Sequence, residues 1–223
     1  MAETKRVALV TGGGAGIGEA ACLRLARDGM AVGVLGRRIG NAKGVADAIV
    51  AGGGTALAVE ADVADRARLE LAIAQVRETL GAITVLVNNA GIEEFKPFAA
   101  IEEAAWDRVM DVNLKGLYHA IQLVLPDMVA AGWGRIVNLT ALGSQIGAVN
   151  MAHYTASKGG VTSLTRSLAV ELGPKGITVN AVSPGFILTP MAQRAIDADL
   201  FPVPYEEIVA TYPIPRVGRP DEA

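Results

Sequence analysis

Tyr154 and Lys158 stand four residues apart in the run His153-Tyr154-Thr155-Ala156-Ser157-Lys158. In a helix that spacing puts both side chains on one face. A phenol ordinarily titrates near ~10. An ammonium group about 4 Å away would favour the phenolate and pull that value down. A phenol tuned in this way can pass a proton near neutral pH. Taken alone, the pair is more often an ordinary surface couple, so its weight depends on what accompanies it.

What accompanies it is a glycine turn, Thr11-Gly12-Gly13-Gly14-Ala15-Gly16-Ile17-Gly18. It lies between an apolar strand-like run and a helical pattern. Gly12, Gly14, Gly16, Ile17 and Gly18 would bring backbone N–H groups and a helix N-terminus against a pyrophosphate, where a side chain would block close approach. The spacing is G-x-x-x-G-x-G, and a plain glycine-rich turn is the alternative. The second strand ends in Leu35-Gly36-Arg37-Arg38. A dinucleotide fold meets the adenine ribose there. Gly36 offers no acid to the 2′-hydroxyl, whereas Arg37 and Arg38 offer bidentate donors to a 2′-phosphate. The pair predicts NADP(H) in preference to NAD(H); a solvated arginine pair is the alternative. Asp62 and Val63 could hold the adenine edge. Asn89, Ala90 and Gly91, after Asn88, could lie along the cofactor ribose.

Those motifs need strands and helices to hold them. Short β-branched runs at Val7–Thr11, Ala31–Leu35, Thr55–Val59, Thr84–Asn88, Arg135–Thr140 and Ile177–Ala181 read as strands covered on both faces. Helical patterns fill the gaps: Gly16–Asp28, Ala42–Ala51, Arg66–Leu80, Glu103–Ala131 and His153–Leu172. Pro126 should kink or end a turn of the fourth helix. The alternation predicts a doubly wound α/β parallel sheet in a single domain over residues 1–223. Pro190, Pro202, Pro204, Pro213, Pro215 and Pro220 should break up regular structure near the end. Residues 190–219 are therefore expected to form a mobile segment over the substrate.

Composition excludes several classes. The chain has 223 residues, 51% of them hydrophobic and 19% charged, with net charge −3. Disorder, nucleic-acid binding and a membrane span are not expected. The single cysteine, Cys22, permits no internal disulfide, which suits a cytoplasmic location. Cys22 itself reads as a small buried hydrophobe. Neither His119 nor His153 has partners at zinc-ligand spacing, so no metal is expected. His119 reads as a core histidine. His153, Glu93, Glu94 and Phe95 could shape a substrate mouth, with Met151 and Met191 flanking it; a solvated turn at 93–95 and gap-filling methionines are the alternatives.

The glycine turn, Asn88-Asn89-Ala90-Gly91, Asn113 in Asp111-Val112-Asn113, the Tyr154/Lys158 pair and Pro184-Gly185 occur in this order. Together they resemble the short-chain dehydrogenase/reductase family over residues 5–223, in its 3-oxoacyl carrier-protein reductase-like branch. The resemblance implies a Rossmann fold and an NADP(H)-dependent oxidoreductase. Its substrate would be a ketone, such as a 3-oxoacyl thioester or keto ester, or the matching secondary alcohol. It implies that Tyr154 is the general acid or base. Lys158 would hold the nicotinamide ribose and lower the phenol's pKa, and Asn113 would orient a water in a proton relay. Ile187 and Thr189 would meet the nicotinamide carboxamide, and Pro184 and Gly185 would also bind the cofactor. Assembly as a homodimer or homotetramer through the fourth and fifth helices is also implied.

Two departures stand out. The family's serine, 13 residues before the tyrosine, is Ala141 here. An alanine cannot polarise a carbonyl, a loss worth ~10²–10³ in rate at such positions. Thr140, as a strand neighbour, should point to the other face. Ser144 could reach in, or could merely stabilise its turn. Ala141 keeps open a second class, a cofactor-binding regulator or scaffold with little turnover. An epimerase or dehydratase on the same fold is disfavoured by the glycine spacing. Relatives also carry a last strand, expected to be absent here.

Overall fold

A computed structural model describes residues 6–223; residues 1–5 of the expected domain, including residue 5 of the resemblance, lie outside the described residues. Strands β1 (Val7–Thr11), β2 (Ala31–Gly36), β3 (Thr55–Glu60), β4 (Ile83–Asn88), β5 (Gly134–Leu139) and β6 (Ile177–Val182) form one sheet in the order β3-β2-β1-β4-β5-β6. Every pairing is parallel. Around the sheet lie helices α1 (Gly16–Arg27), α2 (Ile39–Ala51), α3 (Arg66–Leu80), α4 (Glu103–Met110), α5 (Gly116–Ala131), α6 (Gly143–Ile146), α7 (Ala152–Leu172), α8 (Pro190–Asp197) and α9 (Tyr205–Ala210), with short 3-10 turns at Phe98–Ala100, Gly173–Lys175 and Pro220–Glu222.

Strands β1 and β2 lack polar alternation because both faces are covered: every residue of each is buried. The edge strand β6 departs from the expectation of two covered faces, with Thr178, Asn180, Ala181 and Val182 exposed. Two cores result. One contains Leu9, Leu35, Leu69, Ile73, Leu86 and Ile136, the other Val10, Cys22, Val34, Val45, Ile49 and Val87. Strand order reverses between β1 and β4, and the crevice beyond their C-terminal ends is where this topology binds ligands. Thr11 and Asn88 stand at those two ends. Among the described residues the sheet has six strands.

Two local expectations differ from the structure, and a third is narrowed. The fourth helix is not continuous over 103–131: a π-helical turn, Asp111–Lys115, separates α4 from α5. Such turns widen the helix by one residue and re-aim a side chain, and buried Asn113 sits inside this one. Pro126 does not end its helix, since α5 runs through it to Ala131. Nearby, Asp127 accepts from the Arg77 guanidinium at 2.8 Å and from the Ile83 amide at 2.9 Å, tying this part of the helix to α3 and β4. The proline-rich tail does hold regular structure. Pro190 occupies the first turn of α8, where a missing N–H costs nothing, and Thr189 caps the helix by accepting from the Ala192 amide at 3.1 Å. Among the described residues no helix is long and apolar enough to cross a membrane.

Candidate active site

The turn between β1 and α1 is shaped by backbone. Gly12 has φ +65°, and a Cβ there would lie 2.9 Å from Ala90 Cα. A Cβ on Gly18 would overlap the Gly12 carbonyl oxygen and approach Asn89 Nδ2 to 2.5 Å. Asn89 closes the arrangement: its Nδ2 donates to the carbonyls of Thr11 (3.1 Å) and Gly12 (3.0 Å). The Thr11 hydroxyl accepts from the amides of Asn89 and Ala90, both at 3.1 Å. Ala15, which precedes α1, has no side chain to cap it. The first-turn N–H groups of α1 and the positive end of its dipole therefore remain for a ligand.

Gly12, Gly14, Ala15, Gly36, Arg37, Arg38, Asp62, Val63, Ala90 and Gly91 line one long cleft here, with Gly16, Ile17, Asn89, Tyr154, Lys158 and Thr189 along its continuation. Gly18 does not line it; its part is the close packing just described. The Asp62 carboxylate accepts from the Ala64 amide at 3.0 Å and so shapes its own turn. A glycine cradle, an uncapped helix N-terminus and two guanidinium groups at the far end fit a phosphorylated dinucleotide. Asn41 and Arg194 also line the cleft. Neither belongs to a motif, so spacing could not have found them.

The structure brings Tyr154, Lys158 and Asn113 together. The Lys158 ammonium is buried, donates to the Leu139 carbonyl at 2.7 Å and lies 5.9 Å from the Tyr154 ring centroid. Desolvation pushes it down to about 8. The expected lowering of the phenol is not found. Burial raises the Tyr154 pKa, and the nearby Glu93 carboxylate raises it further. The reason is geometric: Lys158 serves a backbone carbonyl, and its own desolvation works against its charge. Asn113 links three segments. Its Oδ1 accepts from the Ile92 amide (2.8 Å), and its Nδ2 donates to the Ile92 carbonyl (2.9 Å) and the Ser157 hydroxyl (3.1 Å). It fixes the loop after β4 against α7.

Beyond Tyr154 lies a second cavity of about 320 Å³, whose walls include Ala141, Ile146, Met151, Phe186, Phe201 and Tyr212. Pro184, Gly185 and Ile187, expected at the cofactor, line this cavity, while Thr189 lines the cofactor cleft. Phe201 packs edge-on against Phe95 (5.3 Å) and tilted against Phe186 (5.4 Å). Ser144 donates to the Ala141 carbonyl at 2.7 Å, which holds its own turn. Thr140 lines the cofactor cleft with Tyr154 and Lys158, while its neighbour Ala141 lines the apolar cavity. The Thr140 hydroxyl donates to the Val182 carbonyl at 2.9 Å. His153 does not reach the mouth: it is fully buried, with Nε2 3.8 Å from Glu94. His119 is a core residue, its Nδ1 3.4 Å from the Val63 carbonyl. Burial pushes the Cys22 thiol up to about 12, consistent with an inert packing role. Among the described residues no group of three His, Cys, Asp or Glu side chains could hold a metal.

Comparison with known proteins agrees with this geometry. The family model for short chain dehydrogenase matches residues 6–199. An acetoacetyl-CoA reductase from Cupriavidus necator is 40% identical over 98% of this chain and 87% of its own length. A 3-oxoacyl-[acyl-carrier-protein] reductase from Staphylococcus aureus is 39% identical over 95% of this chain and 85% of its own. A crystal structure named for an NAD(P) dependent gluconate 5-dehydrogenase from Beutenbergia cavernae, with NADP bound at low occupancy, superposes with TM-score 0.89 at 38% identity. It covers 97% of this chain and 85% of that one. These likenesses run through the cleft, the Tyr154 helix and the sheet that carries both, and they lend no support to a regulator or scaffold. The chain belongs to the short chain dehydrogenase family, in its 3-oxoacyl reductase-like branch, and is an NAD(P)-dependent oxidoreductase acting on CH–OH and C=O groups.

Proposed function

We propose that the protein interconverts a compact, largely apolar ketone and its secondary alcohol, and that it uses NADP(H) in preference to NAD(H). One observation carries the reading: among the described residues, Tyr154 alone lines both the cofactor cleft and the apolar cavity. A proton donor at that junction stands where a carbonyl in the cavity would meet a nicotinamide in the cleft. The dinucleotide supplies the hydride chemistry. Tyr154 is a phenol at neutral pH, as an ordinary tyrosine is, and burial and the Glu93 charge hold its pKa above the usual value; the protonated group can give a proton to the oxygen of a reduced carbonyl. Lys158 and Thr189 hold the cofactor beside it. The preference for NADP(H) rests on Gly36, Arg37 and Arg38 at the far end of the cleft, and the NADP bound to the Beutenbergia protein is in keeping with it.

The two reductase relatives are named for 3-oxoacyl thioesters, so thioesters and keto esters belong in the test. Residues 190–219 act as a cover: Ala192, Phe201, Ile208 and Tyr212 form part of the cavity wall, and opening of this segment would admit substrate. In this reading the protein is cytoplasmic and works as a homodimer or homotetramer through α5 and α7, where Tyr118, Val129 and Val170 are exposed. A light-scattering mass near 23.0 kDa would overturn the assembly. The function is tested by NADPH consumption across ketones, keto esters and 3-oxoacyl thioesters. Turnover of at least one class is expected, and its absence throughout would overturn the reading.

A further inference from the structure

Among the described residues, one charged side chain lines the apolar cavity. Glu93, in the loop after β4, projects into a wall otherwise built from groups such as Phe95, Ile146, Met151 and Phe186. It is half-buried. Among the described residues its carboxylate has no hydrogen-bond or ion-pair partner. Its neighbour Glu94, by contrast, is held by Lys96 at 2.9 Å. Leaving a carboxylate part-desolvated and unpartnered is costly, and that cost raises the Glu93 pKa. Arg194 faces it across an adjoining cavity, near enough to offset part of the rise. Because that positive charge is already present, a second cation is a poor fit, and a neutral hydrogen-bond donor is a good one.

The same cavity wall holds Ala141, which has no donor for the carbonyl, and Tyr154, which has one. A plain ketone would thus be held by a single hydrogen bond and could rotate about it. A substrate with a second polar point would be held at both.

We propose that Glu93 is a specificity-determining residue that accepts a hydrogen bond from a hydroxyl on the carbon next to the reacting carbonyl, so that the preferred substrates are apolar α-hydroxy ketones and the corresponding 1,2-diols. The two-point hold, carbonyl to Tyr154 and hydroxyl to Glu93, presents one face of the carbonyl. It does by substrate chemistry part of what the absent serine would do. The inference rests on the ketone reading above and narrows it.

The test compares 2-hydroxycyclohexanone with cyclohexanone, using NADPH and the whole chain. A hydrogen bond to a charged acceptor should raise kcat/KM for the hydroxy ketone by about tenfold or more. In Glu93→Leu the ratio should fall to near one. In Glu93→Gln, whose amide oxygen still accepts, part of the preference should survive. A merely structural role would lower both substrates together and leave the ratio standing. A wild-type ratio near one, or a full ratio in Glu93→Leu, overturns the proposal. A parallel arm does not depend on turnover: calorimetric titration of trans-cyclohexane-1,2-diol and cyclohexanol into protein saturated with NADP⁺. Tighter diol binding that is lost in Glu93→Leu supports the proposal even if neither ketone is reduced, an outcome that would sink only the ketone reading. Equal binding of the two alcohols overturns it.

Discussion

The two halves of the site are built in opposite ways. The cofactor half is largely backbone. Gly12, the uncapped start of α1 and the Thr11–Asn89 hydrogen bonds form a polar cradle from segments at neighbouring strand ends. The substrate half is side chain. Four separate stretches, around residues 93–95, 141–151, 184–187 and 192–212, meet to form an apolar wall with one carboxylate in it. The difference follows from what each must hold. A pyrophosphate needs aligned N–H groups, which a strand–turn–helix step provides wherever glycine permits it. A carbonyl compound needs shape and dryness, which only assembled side chains supply. Tyr154 belongs to both halves, so changes on either side of it should have separable effects.

The largest separation should come at Tyr154 itself. Tyr154→Phe keeps the ring and removes the proton donor, so turnover should fall by about 10² or more. The Kd for NADPH, measured by fluorescence titration, should move by less than about threefold. An active variant would break the division by removing its shared member. Next in size is the far end of the cleft. If Arg37 donates to the 2′-phosphate as proposed, Arg37→Asp puts a repelling acid in its place, and the NADPH-to-NADH preference should drop by about tenfold or more. The preference among ketones should stay the same. Tighter NADH binding in the wild type would break this prediction.

On the substrate side, Ala141→Ser restores the hydroxyl that relatives use. A rate gain is expected, well short of the ~10²–10³ such donors bring at a fitted site, because this cavity is packed around a methyl. Ser144→Ala should change kcat/KM little, since that hydroxyl is spent on the Ala141 carbonyl. A large loss in Ser144→Ala would reassign the donor. The smallest effect is a pH shift. The Glu93 charge raises the Tyr154 pKa, so Glu93→Gln should lower it. Alcohol oxidation, which needs the phenolate, should then begin to rise at lower pH than in the wild type. Carbonyl reduction, which needs the phenol, should begin to fall at lower pH. A profile that stays put or moves up would show that the two groups are not coupled.

Much of the cofactor half is legible in the chain because its parts are local. The run from Val7 to Gly18 is a strand, a turn and a helix start whose hydrogen bonds are made almost in place, and the four-residue spacing of Tyr154 and Lys158 is a property of one helix. Legibility fails where a residue's surroundings come from distant segments. The π-helical turn that carries Asn113 opens where its side chain joins Ile92 and Ser157, two segments no local pattern connects to it. The tail helices form despite the prolines because Pro190 sits at a helix start and Phe201 finds rings to pack against.

By itself, then, the order of residues determined the alternating strands and helices, the glycine turn, the absence of an acid at Gly36 and the pairing of Tyr154 with Lys158. Those follow from bond geometry and near-neighbour hydrogen bonds. Only the tertiary structure decided the direction of the Tyr154 pKa, the partner that Lys158 serves and the isolation of Glu93 in an apolar wall. Each depends on how much water is excluded and on which distant groups come near, and neither is set until the whole sheet and its covering segments have packed.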